Sequence, residues 1–212
     1  MVILMKVTSR GRPDVLYQTI QKYLSLANNT SDMRWVYSLD EDDNRLSEYA
    51  WTSGNNTHAN PPSNKITAIN SNIPKSGWDI LLNISDDQIP IRQGYDDMIR
   101  KAMPDSLDAS LWFNDGWQNR INTQEIVGRK YYERFGYVYH PEYKSFFCDN
   151  EATLVAQRIG KQIKNNKCII RHDHPLWNNN SHVPLDDLYK SNNQYWKHDE
   201  DLFIKRQANG FT

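Results

Sequence analysis

Short apolar runs recur along this chain, and most are separated by segments of helical spacing. Val2 to Val7 reads as a buried strand, followed by the polar turn Thr8 to Pro13. From Asp14 to Ala27, apolar side chains fall at Val15, Leu16, Ile20, Tyr23, Leu24 and Ala27, a helical pattern. Arg34 to Leu39, Trp78 to Ile84, Ala109 to Phe113 and Lys167 to Arg171 read as further strands, and Gln93 to Ala102 and Asn150 to Gly160 as helices. Lys65 to Ser71 reads as a short strand entering a helical turn, and Glu125 to Phe135 as a strand entering a short helix. Trp51 to Asn64 is rich in Gly, Pro, Asn and Ser and reads as a loop, while the tail from Val183 on is partly helical and aromatic. Strand–helix alternation of this kind demands crossover connections, so the expected fold is α/β, with a mostly parallel central sheet flanked by helices.

The 212 residues fit one such domain, and no linker or repeat divides them. Seven Trp and 12 Tyr argue against disorder, which is poor in aromatics. A net charge of -1 gives the whole chain no polyanion-binding signature. One basic stretch, Arg158, Lys161, Lys164, Lys167 and Arg171, would form a solvated or phosphate-contacting side if it were helical. Only Cys148 and Cys168 are present, too few for a disulfide framework. The opening apolar run is too short for a signal peptide or a membrane span. A cytoplasmic protein without an integral membrane segment is expected.

Chemistry concentrates where strands end. Three predicted strands run into acidic or metal-competent residues: Asp40 to Asp43, Asp86-Asp87 and His172-Asp173-His174. Ligands of open α/β sheets bind at the carboxyl ends of the strands, so these segments are expected to converge. Adjacent carboxylates repel one another unless a cation or donors compensate, and a divalent Mg²⁺ or Mn²⁺ with phosphate oxygens would do so. A helix cap is the alternative use of such an Asp. His172 and His174 alternate, so on a strand both would face one way, as metal ligands or phosphate contacts. Arg10, Arg12 and Lys65 are candidate phosphate contacts, and Trp112, Trp117 and Trp177 candidate sugar platforms.

Taken in order, these segments resemble GT-A glycosyltransferases of the family-2-like kind, members of the nucleotide-diphospho-sugar transferases. Val7-Thr8-Ser9-Arg10 with Pro13 is similar to the family's first strand and turn, although the turn's Asn is missing. Asp40 falls where the family places a carboxylate that holds the nucleotide base. Ser85-Asp86-Asp87 falls at its Asp-x-Asp-type motif. Because Ser85 replaces the first carboxylate, the resemblance puts metal binding mainly on Asp87, with Asp86 on the sugar–ribose side. Phe146 to Glu151 is similar to the acceptor-loop motif that carries the catalytic base, which makes Asp149 the first candidate and Glu151 the second. His172-Asp173-His174-Pro175 is similar to a late His segment that meets metal or diphosphate, His174 foremost.

The resemblance implies a single domain over 1–212, with residues 1–90 as the nucleotide-sugar half and 91–212 as the acceptor half and tail. It implies Mn²⁺- or Mg²⁺-dependent transfer from a nucleotide-diphosphate-sugar, UDP foremost, to an acceptor hydroxyl. A single base opposite the leaving group implies inversion. Thr8, Arg10, Arg12, Asp40, Lys65 and Asp86 would hold the donor. The acceptor stays open among a glycan, a protein and a modified nucleic acid such as hydroxymethylated DNA bases. Two other readings stay open: a non-catalytic nucleotide- or sugar-binding module, and a metal-dependent hydrolase or nucleotidyltransferase built on Asp86, Asp87, His172 and His174.

Overall fold

A computed structural model describes residues 1–54, 56–174 and 186–212. The chain runs β1 (Ile3–Thr8), α1 (Pro13–Leu26), β2 (Met33–Asp40), β3 (Asn56–Asn60), α2 (Lys65–Asn70), β4 (Ile80–Ile84) and β5 (Gln88–Pro90). It continues through α3 (Tyr95–Ala102), β6 (Ser110–Phe113), β7 (Ile126–Gly128), α4 (Arg129–Phe135) and α5 (Cys148–Arg158). The last elements are β8 (Gln162–Asn165), β9 (Ile170–His172), α6 (Asp187–Asn192) and α7 (Trp196–Ala208). Seven strands form one sheet in the order β3-β2-β1-β4-β7-β6-β8. All pairings in it are parallel except those of β7, which runs antiparallel to β4 and β6. The expected α/β architecture with a mostly parallel sheet is present.

Alternation along β1 explains why the sheet is covered on both faces. Ile3, Met5 and Val7 join a core with Leu16, Ile20 and Tyr23 of α1 and Ile99 of α3. Leu4 joins the opposite core with Ile66 and Ile69 of α2, Tyr131 of α4 and Ala156 of α5. Lys6 shares the Leu4 face, yet it is fully buried. Its Nζ meets Ser38 Oγ, and burial lowers its pKa to about 7. Such an ammonium is costly inside a sheet. It lies two residues before the end of β1, where the second face turns polar.

Four expectations are corrected. The segment Trp51 to Asn64 contains the edge strand β3, whose Asn-Thr-His-Ala-Asn sequence carries no apolar signal. Lys65 to Ser71 holds no strand; Asn64 caps α2 by accepting the Thr67 N–H at 3.0 Å. The basic residues do not share a helix, because α5 ends at Arg158 and Lys164 lies in β8, the other sheet edge. Several are already paired: Lys161 with Asp108 at 2.9 Å, Lys164 with the Trp112 ring at 3.5 Å, and Arg158 with the Gly210 carbonyl at 2.7 Å. Finally, the strand at Lys167 to Arg171 is the three-residue β9, which pairs only with β5, outside the main sheet. Among the described residues, no helix is long and apolar enough to cross a membrane.

Candidate active site

The carboxyl ends of β1, β2 and β4 open into a cavity of about 290 Å³. Thr8, Arg10, Arg12, Asp40, Lys65, Asp86 and Asp87 all line it. Parallel register puts Thr8, the end of β1, beside Ser38, two residues before β2 ends at Asp40, and Val7 beside Ile84, the end of β4, so the three strands finish at the same edge of the sheet. The short β5–β9 ladder adds the third segment: Gln88 pairs with His172, which carries the His172 ring to Asp87. Convergence of the three strand ends is thus a property of the fold.

The adjacent carboxylates turn to different partners, although the charge of Asp87 still helps to raise the Asp86 carboxyl. Asp86 Oδ1 accepts from Arg12 Nη1 at 3.2 Å, and its Oδ2 accepts from Ser9 Oγ at 3.3 Å. Burial outweighs these donors and pushes its carboxyl up to about 6. Asp87 Oδ2 accepts from Tyr189 Oη at 2.9 Å and lies 3.2 Å from His172 Nε2. Burial alone would raise this carboxyl. The His172 ring, Lys65 and the Tyr189 hydroxyl overcome it and hold Asp87 well below the usual carboxylate range. His172 is raised in return, Asp87 overcoming the effect of burial. His174 packs its ring 4.9 Å from that of Tyr189, and burial lowers its pKa to about 4. Pro175 and Trp177 lie outside the described residues.

Asp87 Oδ1 is buried and has no hydrogen-bond partner among the described residues. A carboxylate oxygen in that state is a fitting ligand for a cation. No group of three or more His, Cys, Asp or Glu side chains able to hold a metal occurs among the described residues. Asp87 Oδ1 is thus the atom open to a Mg²⁺ or Mn²⁺, whose shell phosphate oxygens and water commonly complete.

Arg12 is buried and carries the most contacts. Its Nε and Nη2 donate to both oxygens of Asp186 at 2.7 Å, and its guanidinium lies 4.4 Å from the centre of the Tyr189 ring. Arg10 donates to Asp40 at 2.8 Å and, through a fork, to Asp42 at 2.5 and 3.0 Å. Asp43 accepts the Gly11 N–H at 2.6 Å, so the acidic run after β2 holds the turn after β1. Asp186 and Tyr189 are site residues that sequence reasoning missed. They stand far along the chain from Arg12 and Asp87, and no spacing rule links them.

Asp149 and Glu151, paired as candidates for one role, occupy different surroundings. Asp149 is half-buried in the first turn of α5, with Oδ1 accepting its neighbour's N–H at 2.9 Å. Burial pushes its carboxyl up, while Lys65 and His172 pull it down; Asp149 is not among the residues that line the cavity at the strand ends. Glu151 is buried, and both its oxygens are taken: Arg206 donates at 2.8 and 2.9 Å, and Tyr143 Oη at 2.8 Å. It lines a separate, smaller cavity beside Glu125 and Tyr139. Of the tryptophans, Trp112 is buried beneath Lys164. Trp117 is 43% exposed, and its indole N–H donates to the His172 carbonyl at 2.5 Å.

No protein-family model matches the chain, and no curated protein matches it in sequence. Solved structures do match in fold. A mannosyltransferase from Pyrobaculum calidifontis, in complex with GDP-Man and Mn²⁺, superposes with a TM-score of 0.64 at 11% identity over 80% of this chain and 56% of its own. TarS from S. aureus gives 0.60 at 12% identity, over 82% of this chain and 61% of its own. A cytidylyltransferase from Leptospira borgpetersenii gives 0.53 at 14% identity, over 81% and 77%. The chain thus spans little more than half the length of the first two. At these identities the likeness is one of fold, and the fold this chain shares with them is GT-A-like.

Proposed function

We propose that this chain is a metal-dependent glycosyltransferase that moves a sugar from a nucleotide-diphosphate donor, UDP-linked in our reading, to an acceptor hydroxyl with inversion. The observation that carries the reading is the buried oxygen of Asp87 that has no partner among the described residues, in the cavity that also holds Asp40, Asp86, Arg10 and Arg12. Asp40 supplies an acceptor for the base or ribose. Thr8, Arg10, Arg12 and Lys65 supply donors for the phosphates, since guanidinium forks match phosphate oxygens. Asp86, opposite Arg12, faces the sugar–ribose side.

A divalent cation held by Asp87, with His172 and His174 beside it, would stabilise the charge that builds on the departing diphosphate. The remaining work falls to the chain. As the bond from the anomeric carbon to the diphosphate breaks, the acceptor oxygen bonds to that carbon, and its proton passes to a carboxylate on the other side. Asp149 is the candidate, because among the described residues no side chain donates to its carboxyl, and burial raises its pKa. Glu151 lacks that freedom while Arg206 and Tyr143 hold it. Trp117, anchored at His172, offers an exposed ring for stacking an acceptor sugar.

A panel of nucleotide-sugars with Mn²⁺ or Mg²⁺, read by nucleotide release and thermal shift, tests the reading. Metal-dependent release of a nucleoside diphosphate supports it. Release of pyrophosphate from a nucleoside triphosphate and a sugar would assign the chain to the nucleotidyltransferases instead, a reading favoured by the cytidylyltransferase neighbour. Binding without turnover with any acceptor class (glycan, protein or hydroxymethylated DNA) would leave a binding module.

A further inference from the structure

The C-terminal helix carries a clamp that nothing in the proposed chemistry uses directly. Asp199, in the first turn of α7, has no exposed surface. Its carboxylate accepts three consecutive backbone N–H groups: Lys144 at 3.0 and 3.2 Å, Ser145 at 2.8 Å and Phe146 at 2.8 Å. The His198 ring stands 2.9 Å from its Oδ1. A run of converging amides is an anion-binding concavity, and here a side chain fills it. These amides precede the helix, since Phe147 is the cap residue of α5. The carboxylate therefore fixes the approach to α5 rather than the ends of its own ladder.

Phe147 holds a left-handed backbone, φ 59°, unusual for a bulky residue. Its ring packs on Trp196 at 5.0 Å and on Phe203 at 5.7 Å, both from α7. Two turns along α7 from Asp199, Arg206 grips Glu151 with two hydrogen bonds. Asp149 is thus bracketed by contacts to one helix: Asp199 and the aromatic pair before it, Arg206 after it. That α7 braces α5 accounts for the Arg206 contact, but not for a buried charge spent on three loop amides.

We infer that Asp199 is a positioning residue, setting the loop Lys144–Phe147 so that Asp149 is held in place at the start of α5. This rests on the reading of Asp149 as the base. Among the described residues, no side chain lining the cavity hydrogen-bonds to the Asp199 carboxylate, so the loss of the clamp falls first on the loop amides. A displacement of about 1 Å in a reacting group is enough to cost ~10²-fold in rate.

The test uses the full chain, with Mn²⁺ and the panel nucleotide-sugar that turns over fastest, water serving as acceptor. Asp199→Asn puts an amide donor against backbone donors. We expect amide exchange at 144–146 to quicken at least ~10-fold and turnover to fall ~10–10²-fold. Nucleotide affinity should stay within about threefold. In an Asp149→Asn background the same substitution should cost nothing further, since it acts through Asp149. Losses that multiply in the double variant overturn the inference, as does a normal rate despite faster exchange. Asp199→Glu, which keeps the charge and shifts the amides, is read the same way if Asp199→Asn does not fold. Wild-type protein that turns over no donor defeats the transferase reading itself, a result distinct from any of these.

Discussion

Replacing Glu125 by glutamine should flatten the pH dependence of stability across the mildly acidic range. Glu125 is 1% exposed, and its carboxyl meets only Ser110 Oγ at 3.0 Å and Asn122 Nδ2 at 3.3 Å. Burial, helped by the charge of Asp149, pushes its pKa from 4.5 to about 7. The folded state therefore keeps a proton that the unfolded state releases above pH 4.5. Stability from this group is complete below that pH, falls as pH rises, and levels off above about 7. The gap, 7 less 4.5, at ~1.4 kcal/mol per unit makes the loss about 3 kcal/mol. Glutamine keeps the shape and carries no titrating proton. Urea unfolding at closely spaced pH values from about 4.5 to about 7.5 should show the wild type losing this increment relative to Glu125→Gln. Asp149, also raised, contributes a remainder of the same sign to both proteins. Parallel stability curves for the two proteins would show that Glu125 does not hold the proton.

Three further outcomes address the site. Asp40→Ala should weaken nucleotide binding by about 1–2 kcal/mol with or without metal, because it removes a hydrogen-bond acceptor; calorimetry showing a loss only with metal would contradict that role. Asp149→Asn should slow turnover ~10²–10⁴-fold while donor affinity stays within a few-fold. Should Glu151→Gln slow turnover in its place without loosening α5, the base is Glu151. Trp117→Ala should weaken binding of an acceptor oligosaccharide by about 0.5–1.5 kcal/mol in a titration and leave UDP affinity alone; equal acceptor affinity removes the platform.

What could be read in the sequence follows from which signals are local. β1, α1, β2 and β4 announce themselves because buried strands are continuous apolar runs and a helix buries one stripe. The strand-end carboxylates Asp40, Asp86 and Asp87 follow from where those runs stop. β3 and β8 escape because both are edge strands whose polar residues face outward, so only backbone pairing defines them. β5 and β9 span three residues each, too few for any period to show. Asp149, the first candidate, and Glu151, the second, share the first turn of α5, and Arg206, brought back by α7, and Tyr143 set them apart in the fold. Asp186 and Tyr189 reach Arg12 and Asp87 through tertiary packing alone.

Metal-linked nucleotide binding at Asp87 is the central claim, and calorimetry of UDP, titrated with and without Mn²⁺ into wild type and Asp87→Ala, tests it most directly. The account predicts that Mn²⁺ tightens UDP binding to the wild type at least ~10-fold, about 1.4 kcal/mol, and has little effect on the variant. Equal UDP affinity in the two proteins with Mn²⁺ present would contradict it.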